Sequence, residues 1–509
     1  MHYRETRALV REAAREGILL WAENGQLRYR AQKGNIPDAF RSRLQSRKSD
    51  LIGELSLPDF RKRASAAKVI QYPPYSIDFW LENQGNPSLR HAVHFAIRLF
   101  GDVSLQQVLS ALNRLTARYD VLRSRVNLQD GVLSFIVDPA QILSPTDVVD
   151  ISERSFSDPE RSAQVESLIQ RGIYAPFGDK VHRELVIKVS DREYVIAIVV
   201  DHFVADAVSL DIIARGLTTA LCDNPSSELV SDTAPLQYSD YLLGMNEWLM
   251  GEGPAYRLKY WRAKMAGAPP VHFPRTDETP ILGTTNLDTV PVRVGAPLRA
   301  RIADAAAAAR VPVMAVFLAA SFVALARTLR REDLVIIIVH SGRNHPALLQ
   351  VVGLTVNCFP VRVTVRPGIS YSELVRNVND AYNLGNGYQI PWGLLMRSLG
   401  ELDVSCVAPI FNYWPADPQP GRNRSSGSPD AGAVEICRIP VERPPDTNSV
   451  EWKSHVINVI DSAADLHVNV KYEPAKYQAT AVHDFADAFI RSIEVIVQDP
   501  TRPVGVGAR

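Results

Sequence analysis

The sequence has few cysteines and no apolar stretch of membrane-spanning length. Only four cysteines occur in 509 residues, and their spacing is not that of a zinc site or of a set of disulfides. The longest apolar run, Val313–Ala326, has 14 residues between Arg310 and Arg327, whereas a membrane helix needs ~20. The amino terminus also lacks the apolar segment of a signal peptide. These absences predict a cytoplasmic protein with no membrane segment and no metal site.

The sequence also lacks net charge. Its 56 basic and 56 acidic residues balance, which argues against a general affinity for nucleic acid. The charge is uneven along the chain, because residues 1–50 contain eleven arginines and lysines but only six acids. This surplus of five positive charges sets the amino-terminal segment apart from the rest of the chain.

That amino-terminal segment has its own pattern. Apolar residues repeat with helical spacing over Glu5–Gly17. Two short apolar and aromatic runs follow within Ile18–Ala31, separated by Asn24-Gly25, the dipeptide most typical of a tight hairpin turn. A second helix is predicted over Pro37–Leu55, with proline near its first turn. We therefore expect a small α/β domain over residues 1–57 and a linker over residues 58–68.

From about Val69 onward, helical and strand-like patterns alternate. Arg90–Gly101 has the pattern of a strand and Ser104–Ser124 that of a helix. The second half repeats the mixture, with a helix over Val313–Leu329 and a strand over Leu334–Ser341. Such alternation is typical of an α/β protein.

One short stretch, DHFVADAVS (Asp201–Ser209), carries the main chemical signal. It follows the apolar run Arg192–Val200 and precedes a helical pattern. A histidine at the end of a buried strand can face a cleft and act as a general base, and an aspartate four residues later can fix the turn through a charge pair. Patterns this short also recur by accident, so an ordinary half-buried histidine is the alternative. Asp201, likewise, is either catalytic or a short acid that caps the turn.

Several segments resemble the condensation domains of nonribosomal peptide synthetases, including those of hybrid polyketide–peptide systems. Phe95–Val126 is similar to the opening of the family, with RYDVLRS in place of its Arg-His-Glu-x-Leu-Arg element. Further similar segments follow in the family's order: Pro235–Leu249, Val352–Val363, Gly387–Leu399 and Pro409–Pro415. The resemblance spans roughly Val69–Thr501. It implies two chloramphenicol-acetyltransferase-like lobes in a V shape, residues 69–250 and 251–509, preceded by the small α/β domain.

The resemblance also implies roles for single residues. The family motif His-His-x-x-x-Asp-Gly reads DHFVADA here, so His202 is the catalytic second histidine and Asp206 the structural aspartate. Asp201 and Ala207 depart from the motif. The same stretch fits the Asp-x-x-x-x-Asp-x-x-Ser signature of heterocyclisation domains through Asp201, Asp206 and Ser209, but His202 favours condensation.

Other positions carry over individually. Arg343 matches the arginine that pairs with the motif aspartate, and Asn412 matches an active-site asparagine that orients the nucleophile. Ser209 either lines the cavity or starts the helix. The N–H of Ala207 is a candidate donor to an oxyanion, because alanine in place of glycine keeps that group.

The implied reaction moves an acyl group from a carrier-protein phosphopantetheine thioester to an amine or a hydroxyl. The chain itself needs no cofactor, because the carrier supplies the phosphopantetheine. The altered motif favours a hydroxyl acceptor and an ester product, and we expect a free-standing enzyme suited to chain release onto a small-molecule or carrier-bound acceptor. A heterocyclisation domain, a coenzyme A-dependent acyltransferase and a non-catalytic recruitment domain are the alternatives.

Residues 1–57 resemble β-hairpin docking domains. Such a domain would bind an acidic linear segment at the carboxyl end of an upstream acyl- or peptidyl-carrier protein, added beside the hairpin as an extra strand. The expected contacts are Arg28, Arg30, Lys33 and Arg41. The alternative is a solvated basic face.

Overall fold

The computed structural model describes most of the chain. The described ranges are residues 2–16, 18–23, 25–31, 36–62, 69–84, 92–139, 146–153, 157–174, 177, 180–221, 235–276, 287–400, 408–415, 434–439, 455–461 and 466–505.

The amino-terminal unit folds as a helix, a hairpin and two further helices. Its elements are α1 (His2–Arg15), β1 (Ile18–Glu23), β2 (Gln26–Ala31), α2 (Asp38–Ser46) and α3 (Lys48–Leu55). The predicted hairpin is confirmed: Glu23 pairs with Gln26, and Gly25 has the positive φ of +68° that the tight turn requires.

The prediction of one continuous helix over Pro37–Leu55 was wrong. The helix breaks at Arg47, whose φ of −117° is not helical. The break lets Phe40 and Leu44 from α2 and Leu51 from α3 reach one apolar core. Burial of three large side chains on one side outweighs the continuous helical periodicity of the sequence.

The first lobe surrounds a five-stranded sheet and a three-stranded sheet. Its elements are β3 (Val69–Gln71), α4 (Ser76–Gln84), β4 (Ala92–Phe100), α5 (Leu105–Arg118), β5 (Ser124–Gln129), β6 (Val132–Val137), β7 (Asp147–Asp150), α6 (Asp158–Tyr174), β8 (His182–Ser190), β9 (Glu193–Asp201), α7 (Ala207–Leu221) and α8 (Tyr238–Leu249).

The helix predicted over Ser104–Ser124 is shorter than expected. Ser104 and Gln107 form a capping box at its start, but the helix ends at Arg118 and a 3₁₀ turn follows over Asp120–Arg123. This turn puts the buried Asp120 carboxylate at the start of α8, where it accepts hydrogen bonds from the N–H groups of Tyr238 (3.3 Å) and Ser239 (3.0 Å). A contact across more than 100 residues therefore ends the helix.

The second lobe surrounds a six-stranded sheet of order β10-β16-β15-β13-β11-β12. Its elements are α9 (Glu252–Met265), β10 (Asp288–Arg293), α10 (Ala296–Ala309), α11 (Val313–Leu329), β11 (Asp333–His340), β12 (Asn357–Thr364), α12 (Tyr371–Gly387), α13 (Trp392–Leu399), β13 (Ile410–Trp414), β14 (Glu435–Ile439), β15 (Val456–Asp461), β16 (Leu466–Tyr472) and α14 (Ala479–Gln498).

The two halves of the chain are interlocked. Strand β14 lies within the segment expected to form the second lobe, yet it pairs antiparallel with β4 and extends the first lobe's sheet, giving the order β14-β4-β9-β8-β7. The expected two-lobed α/β fold, with its small amino-terminal domain, is confirmed.

Helix α11 contains the longest apolar run of the sequence. All of its residues from Met314 to Ala326 are buried in the second lobe's core, as expected for a core helix. Across the described ranges no single helix is long and apolar enough to cross a membrane, and the apolar pair α10 and α11 is bent by 99°.

Candidate active site

His202 lies at the end of a buried strand. Every residue of β9 from Tyr194 to Asp201 is buried, and the chain then turns sharply before α7 begins at Ala207. Asp201 holds this turn: its Oδ1 accepts a hydrogen bond from the N–H of Phe203 (2.9 Å), and its main-chain oxygen accepts one from the N–H of Val204 (3.0 Å). The buried Asp201 carboxylate therefore caps the turn that presents His202.

The imidazole of His202 is half-buried and oriented by its own turn. Its Nδ1 lies 2.8 Å from the main-chain oxygen of Ala205. A carbonyl oxygen only accepts hydrogen bonds, so Nδ1 carries the proton and, in the neutral ring, Nε2 carries the lone pair. This is the tautomer that a general base needs at Nε2.

Aromatic rings support the turn from beneath. The ring of Phe203 packs against Tyr72, Phe79 and Trp80 at centroid distances of 5.0, 5.7 and 4.9 Å. Phe203 itself is buried. Because Phe203 follows His202 directly, this packing restricts the position of the catalytic candidate.

Asp206 is the most heavily hydrogen-bonded carboxylate of the site. Its Oδ1 accepts from the N–H (2.9 Å) and the hydroxyl (2.8 Å) of Ser209, and its Oδ2 accepts from the N–H (3.1 Å) and the hydroxyl (3.2 Å) of Thr355. Arg343 adds a two-pronged ion pair, from Nη1 to Oδ2 (2.8 Å) and from Nη2 to Oδ1 (3.0 Å). Both charged side chains are buried.

The charges explain the ionisation of Asp206. Burial alone would raise the pKa of its carboxyl, but Arg343 and the donors from Ser209 outweigh burial and hold the pKa below its ordinary value. Since Asp206 starts the helix of the first lobe and Arg343 follows a strand of the second lobe, this ion pair joins the two lobes directly beneath His202.

Ser209 lies inside this junction and does not line an open cavity. It is fully buried, and its hydroxyl also accepts a hydrogen bond from the N–H of Gly353 (3.0 Å). Thr355 was not singled out from the sequence, although it belongs to the recognised stretch Val352–Val363. Its importance depends on its main-chain N–H, and no residue pattern reports the direction of a main-chain group.

Ala207 is the first residue of α7. The N–H groups of a helix's first turn have no partner within the helix, so the Ala207 N–H keeps the capacity to bind a developing oxyanion. Ala207 is half-buried.

Asn412 lies on β13 in the second lobe. This strand runs parallel to β11, with Ile410 beside Ile337, so Asn412 is level with the end of β11 that leads to Arg343. Its Nδ2 donates to Oδ1 of Asn458 on β15 (3.3 Å). A contact between Asn412 and the residues around His202 is not among the hydrogen bonds of the described residues.

The expected docking residues fall on the amino-terminal unit. Arg28 on β2 and Arg41 on α2 are exposed, and Arg41 makes a long ion pair of 3.9 Å with Asp38. Arg30 belongs to β2, but its side chain lies outside the described part, as does the whole of Lys33.

A base on a strand-to-helix turn, with an ion pair beneath it that joins two α/β lobes, is the arrangement of a two-lobed acyltransferase. The chain belongs to the condensation-domain family, whose model matches residues 80–506, and it carries a TubC N-terminal docking domain over residues 7–56. This confirms both resemblances drawn from the sequence. Condensation domains are acyltransferases that form amide or ester bonds.

Individual relatives are distant. A linear gramicidin synthase of Brevibacillus parabrevis is 22% identical over 436 residues, which is 82% of this chain but 8% of that protein. The solved structure on condensation domain-mediated chain release from the enacyloxin polyketide synthase has a TM-score of 0.68 at 20% identity and covers 99% of this chain and 97% of that one. The X-domain solved in complex with OxyB from teicoplanin biosynthesis has a TM-score of 0.69 at 18% identity and covers 89% of this chain and 99% of that one.

Proposed function

We propose that this chain transfers an acyl group from a carrier-bound phosphopantetheine thioester to a hydroxyl or amine acceptor, with His202 as the base. The observation that carries the proposal is the hydrogen bond from Nδ1 of His202 to the oxygen of Ala205, because it leaves the basic lone pair on Nε2. The half-buried ring is accessible enough to meet a substrate.

The proposed reaction has two steps. Nε2 of His202 accepts the proton of the nucleophile as it attacks the thioester carbonyl, and the N–H of Ala207 donates to the resulting oxyanion. The tetrahedral intermediate then collapses, the carbon–sulfur bond breaks, and the imidazolium returns its proton to the departing thiolate. A positioned base contributes about 10²–10⁴-fold, while alignment of the two reactants supplies roughly 7–11 kcal/mol. Alignment between the lobes therefore contributes more than proton removal.

The contacts of Asp201 argue against heterocyclisation. A catalytic carboxylate has to reach the substrate, but Asp201 is 1% exposed and its Oδ1 accepts the N–H of Phe203. We propose that Asp201 shapes the turn and that the product is an acyclic ester or amide. We favour the ester, because the first histidine of the family motif is replaced.

The test is a transfer assay with acyl-loaded carrier protein and both alcohol and amine acceptors, read by mass spectrometry. We expect the alcohol to be acylated, and His202→Ala to lower the rate by about 10²–10⁴-fold. His483→Ala is the matched control, since His483 is exposed on α14. A five-membered ring formed with loss of water would establish heterocyclisation instead, and equal rates with free coenzyme A thioesters would establish the coenzyme A-dependent alternative.

A non-catalytic recruitment role is the second candidate. It is favoured by the likeness to the X-domain that was solved in complex with OxyB. Under that role the His202→Ala variant would keep full biological function while no acyl transfer would be measured with the wild-type protein.

We further propose that β2 of the docking domain binds an acidic carboxyl-terminal segment of an upstream carrier protein as an added strand. Among the described residues β2 pairs only with β1, so its outer edge can accept a strand. Arg28→Glu and Arg41→Glu should weaken binding of an acidic peptide, whereas Arg262→Glu, on α9, should not. Binding that does not change with salt concentration would contradict the electrostatic part.

A further inference from the structure

The docking domain is fastened to the rest of the chain by a buried arginine. Arg257 on α9 is 3% exposed, and its Nη1 contacts the main-chain oxygens of Gly53 (3.0 Å) and Ser56 (3.2 Å) at the end of α3. The indole N–H of Trp248 donates to the same Ser56 oxygen (2.8 Å). A buried guanidinium that has lost these acceptors would be costly, so the contact resists separation.

The two surfaces approach too closely to slide. Gly53 faces Tyr256, and a Cβ at Gly53 would overlap the base of that ring. The guanidinium of Arg7 stacks over the ring of Tyr388 at 4.5 Å while its Nε donates to Glu54 Oε1 (2.7 Å). Tyr388 is fully buried. Helices α1 and α3 of the docking domain therefore pack directly on the second lobe.

The chain that leaves the docking domain is also packed. Residues 58–68 were expected to form a linker, but Phe60 stacks on Tyr241 of α8 at 5.5 Å with the ring planes 18° apart. Phe60 further joins an apolar cluster that includes Val351, whose main-chain oxygen accepts from Nη2 of Arg343 (3.0 Å). Residues 63–68 lie outside the described part.

From these contacts we infer that the docking domain is a fixed platform, built into both lobes, and not a module on a flexible tether. This inference rests on the proposed docking function. An acidic carrier segment bound at β2 is then held at one position relative to His202. The carrier's own linker must span the remaining distance, so its effective concentration at the site depends sharply on that linker's length.

The experiment measures distances between spin labels in the full chain without any partner. Labels at Gln45 on α2, Arg215 on α7 and Asp487 on α14 are all at exposed positions. On a fixed platform the Gln45–Arg215 and Gln45–Asp487 distance distributions are as narrow as that of Arg215–Asp487, which lies within the two lobes. Distributions from Gln45 that are at least about twofold broader, as a free linker would give, would overturn the inference.

Two variants with matched controls extend the test. Gly53→Ala favours the α3 helix itself but forces it away from Tyr256, so it should broaden the Gln45 distributions, whereas Ser49→Ala on the exposed side of α3 should not. Arg257→Leu should act like Gly53→Ala, with the exposed Arg262→Leu on the same helix as its control. If both interface variants keep the narrow wild-type distributions, these contacts do not hold the domain. None of these measurements needs a carrier or a reaction, so their failure is distinct from failure of the proposed function.

Discussion

Removing the carboxylate of Asp206 should destabilise the junction between the lobes. In Asp206→Ala the guanidinium of Arg343 stays buried and keeps only main-chain oxygens as partners, those of Val351 (3.0 Å), Ser341 (3.4 Å) and Gly353 (3.4 Å), besides the Ser209 hydroxyl (3.2 Å). The variant therefore buries an uncompensated positive charge.

The expected loss is large for a single side chain. Breaking a buried ion pair by removing one partner costs about 3–5 kcal/mol. By contrast, Asp211 on α7 pairs with Arg438 at 3.2 Å where both side chains are more than half exposed, and an exposed pair contributes about 1 kcal/mol or less. Asp211→Ala is thus a matched control from the same helix.

The pair also predicts a pH dependence. Because the pKa of Asp206 is lower in the folded protein than in the unfolded chain, its stabilising contribution is present above the unfolded pKa of about 4 and is lost as the pH falls below that value. Asp206→Ala should lack this part of the acid sensitivity.

The assay is urea-induced unfolding at pH 7, followed by tryptophan fluorescence, for both single variants and the double variant Asp206→Ala/Arg343→Leu. The double variant should lose less than the sum of the singles, by about 0.5–3 kcal/mol, because it leaves no charge without a partner. If Asp206→Ala costs no more than Asp211→Ala, or if the two losses simply add, the junction is not held by this ion pair.

Two further predictions concern single buried positions. Burial lowers the pKa of His455 to about 3, so its stabilising contribution is lost as the pH falls from 6.5 towards 3; His455→Leu should flatten thermal unfolding curves across that range, and an unchanged pH profile would contradict this. Gly342 has a φ of +70°, and a Cβ there would overlap the main-chain oxygen of Thr355; Gly342→Ala should lower the melting temperature, whereas Gly368→Ala, with a φ of +84° but open space around it, should do so far less. Equal shifts would show that the overlap with Thr355 does not matter.

Local patterns predicted the elements on which the site is built. Asn24-Gly25 specified the hairpin because its turn chemistry acts within four residues. The apolar run that ends at Val200 predicted a buried strand, and β9 places His202 directly after it. The same local periodicity missed the break at Arg47 and the early end of α5, since both depend on contacts with distant segments.

The candidate site divides in the same way. The order of motifs along the chain was enough to select His202, Asp206 and Arg343, although 137 residues separate the last two. Nothing in that order shows that Asp201 turns inward to cap its own turn, or that Ser209 is sealed within the junction.

The sequence by itself determined the family, the small amino-terminal domain and the histidine, because residue types at fixed spacing carry that information locally. Only the tertiary structure decided that β14 crosses into the first lobe, that the N–H of Thr355 points at Asp206, and that Arg257 clasps the end of α3. These contacts depend on main-chain direction and on packing between segments far apart in the chain, which are set when the whole molecule folds.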